Sequence, residues 1–423
     1  MVSKVEGIFT QGREACEKAV DRIYSTEQSP ISGVAIQLYL RNFQSFNATF
    51  GFRKGEHLLR QVAEYLCELW DGPIYRHGGG VSFIMLLDGM DKSAALELAR
   101  RIAARLEHPW HIDGLDCICT GAVGVVSYPE YADTPEDLFH NLRLITVKRE
   151  AGWPGQSPVT VFDHDWQERF YRDSITIRLL ATAVELEQID LRYRPIYDCN
   201  QQRYGSVECS PRLLTVEYGA IRQEEFLPLA EESGVICFVN MHILKMTIQQ
   251  LGQMIKNGLP IDSLSLLISP VLLAQHRFFE DLAELLEKYQ VPPSMLAIEL
   301  HEHPMSTGHT LSAAKSLKEV GVKVILGGVD LSLSGLKGVL SLPIDAIKLG
   351  RKAVWQLETN RRAGIIAAGI SQIAAGLGVE LIAEGVENEK QDSMLNQLGC
   401  RFRQGVYYSR SLPLERFEEI VRG

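Results

Sequence analysis

The chain has 423 residues, 46% hydrophobic and 23% charged, enough apolar material for two or three ordinary cores at roughly 100–200 residues per domain. Its 43 Lys and Arg stand against 53 Asp and Glu, a formal net charge of −10, and no long basic run neutralises a row of phosphates, which excludes nucleic acid as a general partner. Eight scattered cysteines do not form a disulfide framework, and the charge-free stretch Ala363 to Val379 is shorter than the roughly 20 apolar residues of a spanning helix.

At the N-terminus, Met-Val-Ser-Lys-Val-Glu lacks the apolar core of a secretory signal, so a cytoplasmic location and no membrane span are expected. Glu6 to Tyr24 reads as a helix, Val34 to Leu40 as a strand, and Gly55 to Leu69 as a helix with Leu58, Leu59, Val62, Leu66 and Leu69 at helical spacing. Val81 to Leu87 is an apolar run after a glycine cluster. Lys92 to Leu106 reads as a helix, Leu115 to Val126 as a strand, and Asp137 to Arg149 as a closing helix. On one strand Cys117 and Cys119 would share a face, but no second pair lies at ligand spacing, so core cysteines are preferred to a zinc pair. Turn formers crowd Ala151 to Pro158, and a first α/β domain is expected over 1–163.

From about Asp173 short β-rich runs alternate with helical ones. The runs are Leu191–Ile196, Gly205–Leu213, Leu264–Ser269, Leu296–Leu300, Val322–Leu326, Ala346–Leu349, Val379–Ala383 and Gly405–Tyr408. Eight strands in roughly 250 residues suit a (β/α)8 barrel, here over 170–423. Chemistry in that fold sits at the C-terminal strand ends. These ends carry Arg194, Glu208, Leu267 with Ser269, Glu299, Gly327 with Gly328, Lys348, Glu384 and Gln404. Three carboxylates, a lysine and a glutamine around one mouth suit hard divalent cations and a phosphate ester.

Six segments in order resemble the EAL cyclic di-GMP phosphodiesterases from about Arg178 to Leu414. They are Tyr-Arg-Pro-Ile (193–196), Glu-Cys-Ser-Pro-Arg (208–212), Ile-Glu-Leu-His-Glu (298–302), Leu-Pro-Ile-Asp-Ala-Ile-Lys (342–348), Ala-Glu-Gly-Val-Glu (383–387) and Gln-Gly-Val-Tyr (404–407). For an active enzyme the resemblance implies metal ligands at Glu208, Glu299 and Glu384, an Asn where Leu267 stands, and an Asp pair where Gly327 and Gly328 stand. Lys348 and Gln404 match positions near the substrate and the attacking water. With three oxygen-bearing side chains lost, a two-metal centre and hydrolysis are not expected, and no metal or other cofactor is expected. Of the nucleotide contacts, Arg212 matches, whereas Arg194 replaces a Gln, Ser210 a Leu and Gly350 an acid. Arg194 could itself attract a phosphate, which leaves cyclic di-GMP binding without turnover as an alternative. A Glu208→Ala, Glu384→Ala double variant is expected to change only the mouth.

In the first domain, Arg-His-Gly-Gly-Gly-Val-Ser-Phe (76–83) resembles the GGDEF signature of diguanylate cyclases. Gly79, Gly80, Val81, Ser82 and Phe83 take its five places, so Val81 and Ser82 stand for Asp and Glu. The family's metal-binding aspartates fall near Tyr39 and Arg41, and synthesis from GTP is not expected. Asn47 and Glu56 keep a polar pair where the family reads guanine, which leaves GTP binding as an alternative, and their plainer reading is a helix cap and a solvated glutamate. No Arg-x-x-Asp lies near Asp71, so feedback binding there is not expected. His301-Glu302-His303-Pro304 places two histidines on one face beyond the fourth barrel strand, and a polar loop is preferred to a metal site. The expectation is a tandem of degenerate GGDEF and EAL domains that regulates another bacterial protein by binding it, with residual phosphodiesterase activity as the third reading.

Overall fold

The strand that opens the first sheet is apolar at nearly every position because both of its faces are covered. The computed structural model describes residues 2–25, 31–77, 81–147, 159–301, 307–331, 339 and 341–422. It divides into Met1–Tyr171 and Arg172–Gly423, a division that falls within the helix His164–Leu180. Among the described residues no helix is long and apolar enough to cross a membrane.

In the first unit the strands are β1 (Gly33–Leu40), β2 (Ile74–His77), β3 (Ser82–Asp88), β4 (Trp110–Ile112), β5 (Leu115–Cys117), β6 (Gly121–Tyr128) and β7 (Val159–Phe162). The main sheet runs β2-β3-β1-β6-β7, antiparallel except for the parallel pair β6 and β7. Val34, Ile36, Leu38 and Leu40 join Leu58, Leu59, Val62 and Leu66 of the helix Phe52–Leu69 in one core. Ala35 joins Cys16 and Val20 of Val2–Tyr24, and Leu138 and Leu142 of Pro135–Val147, in the other. This period of two, with helices on both faces, accounts for the unbroken apolar runs.

The single strand expected over Leu115 to Val126 is two. β5 pairs with β4 across Asp113 and Gly114, at φ 48° and 80°, as a two-residue primed hairpin turn requires; only β6 enters the main sheet. Cys117 and Cys119 therefore do not share a strand face. Both are buried in the apolar core, where burial pushes the Cys119 thiol up to about 12. The turn-rich segment 151–158, Gly79 and Gly80, and Glu302, His303 and Pro304 lie outside the described residues.

In the second unit, β8 (Ile189–Asp198), β9 (Arg203–Thr215), β11 (Ser263–Leu267), β12 (Leu296–His301), β13 (Lys323–Val329), β14 (Ala346–Leu349), β15 (Glu380–Glu384) and β16 (Phe402–Gln404) close into an eight-stranded barrel. β10 (Gly219–Arg222) is a short addition paired to the end of β9. Two features depart from a regular (β/α)8 barrel. β8 runs antiparallel to both β9 and β16, because the turn between β8 and β9 is too short for the crossover that parallel strands need. The last strand is Phe402–Gln404 and not 405–408, for the chain leaves the sheet at Gly405, where a side chain would overlap the Val386 backbone.

Candidate functional site

Alternate residues of a barrel strand face its interior, and this sets the site. Ile196, Ala297, Ile325, Ala346, Ile382 and Phe402 form an apolar interior cluster. Two residues further on in each parallel strand stand Glu299, Gly327, Lys348, Glu384 and Gln404, and two residues back in antiparallel β8 stands Arg194. Arg194 lies opposite Glu208 of β9, and Leu267 of β11 opposite Glu299. Arg194, Glu208, Leu267, Glu299, Gly327, Lys348, Glu384 and Gln404 thus come one from each barrel strand.

Lys348 holds the centre and is 1% exposed. Its Nζ donates to Glu208 Oε2 at 2.5 Å and to Glu299 Oε2 at 2.8 Å. The other Glu299 oxygen lies 2.9 Å from His301 Nε2. Glu208 Oε1 accepts from Arg194 Nη1 at 3.4 Å and Gln223 Nε2 at 3.3 Å. Arg194 Nη2 donates to Glu224 Oε1 at 2.6 Å, and its Nη1 lies 3.7 Å from Glu384 Oε1. Gln404 Nε2 donates to the Arg194 carbonyl at 3.2 Å. Arg194 is thus engaged with three carboxylates and is not the free phosphate hook its sequence position suggests.

Electrostatics follow from this cage. Burial works to raise the Glu299 pKa, yet the Lys348 ammonium and His301 outweigh it and hold the carboxyl well below its usual range. Burial works to lower that of Lys348, but Glu208, Glu299 and Glu384 keep it charged to high pH. Glu384 shifts the other way, raised by burial and by the like charges of Glu208 and Glu299 against the pull of Lys348 and Arg194.

These signs make a pH prediction. Glu299, depressed in the fold, contributes stability above the unfolded carboxylate pKa of about 4.3 that is lost as pH falls through its native value. Glu384, raised in the fold, costs stability near neutrality, and that cost disappears as pH falls through its native value. Glu384→Gln should raise the unfolding midpoint at pH 7.5, with the gain shrinking toward pH 5; urea unfolding at both pH values checks this, and a gain that grows on acidification contradicts it.

The three positions where the resemblance implies further ligands carry no oxygen-bearing side chain. Leu267 packs against the barrel's apolar core. A Cβ at buried Gly327 would overlap Glu299 Oε1. Gly328 sits at φ +66° with the His301 ring 3.6 Å from where its Cβ would be, in the left-handed region that L side chains rarely adopt. Among the described residues no three His, Cys, Asp or Glu side chains are grouped to hold a metal ion. The surviving carboxylates Glu208 and Glu299 face the Lys348 ammonium, and Leu267, Gly327 and Gly328 bring no oxygen-bearing side chain beside them, so this donor set does not fit a pair of divalent cations.

On the rim, Arg212 is largely buried with Nη1 4.0 Å from Glu224 Oε2, and that Nη1 donates no hydrogen bond. The Ser210 hydroxyl is likewise buried without a hydrogen-bond partner. Ser269 is a cap, its hydroxyl bonded to Glu231 and accepting from the Val271 amide. Sequence reasoning missed Gln223, Glu224 and the pairing of His301 with Glu299. Acidic residues in the first turn of the helix Gln223–Glu232 are a readable helix signal, but nothing in the sequence aims Glu224 at Arg194.

In the first unit Ser82 opens β3 opposite Tyr39 and accepts from Gln37 Nε2 at 2.6 Å in the interior. Phe83 is core, and Val81 packs on the same cluster. Glu56 is not simply solvated, since its carboxylate accepts from Arg76 at 3.1 Å. Asn47 is no cap: it lies within the helix Phe43–Phe50, its buried Oδ1 without a partner and so close to Gly55 that any side chain there would overlap it.

The profile described as "EAL domain" matches residues 177–411, and that described as "Diguanylate cyclase, GGDEF domain" matches residues 11–148. The chain belongs to the EAL domain family and carries a GGDEF domain ahead of the barrel, the tandem found in cyclic di-GMP signalling proteins. The cyclic di-GMP phosphodiesterase PdeR of Escherichia coli is 26% identical over 409 residues, covering 96% of this chain and 61% of the relative. The signalling protein YkoW of Bacillus subtilis is 26% identical over 403 residues, covering 92% of this chain and 49% of the relative. The chain therefore spans about half to three-fifths of these relatives' length. Among solved structures, the PaMucR phosphodiesterase in complex with c-di-GMP aligns with a TM-score of 0.54 at 25% identity, over 57% of this chain and 99% of that one. The Vibrio cholerae LapD S helix-GGDEF-EAL structure, bound to c-di-GMP, aligns with a TM-score of 0.62 at 19% identity over 93% of each, a likeness of fold alone.

Proposed function

We propose that this chain is a cytoplasmic, non-catalytic member of the cyclic di-GMP signalling family that works by binding another bacterial protein, with its two domains, about 1–163 and 170–423, serving as surfaces. The observation that carries the reading is Lys348 bridging Glu208 and Glu299 in a ring where Leu267, Gly327 and Gly328 bring no further oxygen. Hydrolysis of a phosphodiester by a metal-activated water needs an assembled cation centre, and here Glu208, Glu299, Glu384 and Gln404 are occupied with Lys348 and Arg194 instead. In the first domain Val81, Ser82, Tyr39 and Arg41 leave no carboxylate for Mg²⁺ and triphosphate. Incubation with cyclic di-GMP and Mg²⁺ or Mn²⁺ should yield no linear dinucleotide, and incubation with GTP no cyclic product. Metal-dependent product that disappears in Glu384→Gln contradicts the reading.

One observation favours a second reading, a cyclic di-GMP receptor. The Arg212 Nη1 and the buried Ser210 hydroxyl on the same strand have no hydrogen-bond partner, and a phosphate that reached Arg212 would supply the acceptor its Nη1 lacks. Calorimetric titration with cyclic di-GMP separates the two: saturable binding that Arg212→Ala weakens, without product, places the receptor reading first, and no heat leaves the protein-binding reading in place.

A further inference from the structure

We propose that the Lys348 ammonium is the resident cation of the barrel mouth, standing where a divalent ion would have to stand, so that the ring is charged and complete without metal. The inference rests on the non-catalytic reading of the same site and goes further, because it assigns the surviving carboxylates a present role.

Four features carry it. First, the ammonium is buried and in direct contact with carboxylates from two other strands, Glu208 of β9 and Glu299 of β12, themselves 4% and 3% exposed. An isolated buried ammonium or carboxylate costs several kcal/mol, so neither partner is tolerable in this layer without the other. Second, magnesium binds oxygen at about 2.0–2.1 Å, and an ion bridging Glu208 Oε2 and Glu299 Oε2 would have to displace Nζ. Third, Arg194 reaches Glu208, Glu224 and Glu384, and Arg212 and Arg351 lie 4.0 and 3.7 Å from Glu224 and Glu384, so four carboxylates face four cationic side chains and a doubly charged ion gains little Coulomb energy there. Fourth, the side chains that would restore an excess of negative charge are missing at Gly327 and Gly328. Glu208, Glu299 and Glu384 are accordingly kept as counter-ions that hold a lysine and an arginine inside the barrel, and whatever binds the mouth does so without a divalent cation.

The test is Mn²⁺ titration of the full chain by electron paramagnetic resonance, with thermal unfolding in Mn²⁺ and in chelator alongside. Wild type should show no Mn²⁺ site that Glu299→Gln removes, and its unfolding midpoint should be the same in both conditions. Lys348→Met empties the position between two facing carboxylates, and this variant should gain one Mn²⁺ site and be stabilised by the metal. A mouth site in wild type, lost in Glu299→Gln, overturns the proposal, as does a folded Lys348→Met that binds no more Mn²⁺ than wild type. Should Lys348→Met fail to fold with or without metal, the wild-type titration decides alone. Mn²⁺ bound in wild type without hydrolysis defeats this inference and leaves the non-catalytic reading standing, whereas hydrolysis defeats that reading.

Discussion

Glu208→Ala is expected to lower the stability of the barrel by about 3–5 kcal/mol, the range for breaking a buried ion pair by removing one partner. At roughly 2–4 °C per kcal/mol for a unit of this size, its unfolding midpoint should fall by about 6–20 °C. The reason lies in what Glu208 touches: one oxygen accepts from Lys348, the other from Arg194 and Gln223, so the substitution strips a buried ammonium of one of its two counter-ions and leaves a cavity beside it. Glu384 is different. It lies 3.7 Å from both Arg194 and Arg351, is partly exposed, and is held above its ordinary pKa, so Glu384→Ala should change stability by no more than about 1 kcal/mol. Sequence alone treats the two substitutions as one harmless change to the mouth; the structure separates them, and a partner-capture assay on the double variant would confuse unfolding with a lost contact. Urea unfolding of both single variants, followed by circular dichroism, checks the contrast. Equal and small effects would contradict it.

Gly327→Asp is the second large effect. The residue is buried, and a Cβ there would overlap Glu299 Oε1, so an aspartate forces Glu299 off Lys348 or stays protonated to avoid a like charge at contact distance. Overpacking of a tight layer costs roughly 1–3 kcal/mol, and loss of the Glu299 pairing adds to it, for an expected total above about 3 kcal/mol. Gly328→Asp adds strain from φ +66°. The triple variant Leu267→Asn, Gly327→Asp, Gly328→Asp should therefore be less stable than wild type and still produce no linear dinucleotide, since it restores side-chain oxygens without removing Arg194 from the ring. A triple variant as stable as wild type, with Mn²⁺-dependent hydrolysis, would contradict this.

How far the sequence reaches can be judged residue by residue. Lys92–Leu106 and Ala346–Leu349 are bounded by the structure at the residues read from periodicity, since helical and strand spacing are strong there. The strand-end rule brought Glu299, Lys348 and Glu384 together because their strands are parallel and alternate. It placed Arg194 at a strand end, whereas Arg194 is mid-strand in β8, whose reversed direction is not visible in its apolar pattern. The β4–β5 hairpin had a readable signal in Asp113-Gly114 between apolar residues. Other features had none: Glu224 reaches Arg194 through tertiary packing alone, Asn47 lies mid-helix and not at its start, and Ser82 is buried at the start of β3 with its hydroxyl bonded to Gln37.

The central claim concerns which cation stands between Glu208 and Glu299. Anomalous diffraction from crystals of the full chain equilibrated with Mn²⁺ answers it most directly. The account predicts no anomalous density between the two carboxylates and continuous density for Lys348 with Nζ in contact with both. A manganese ion bridging Glu208 and Glu299, with the lysine turned aside, would contradict it.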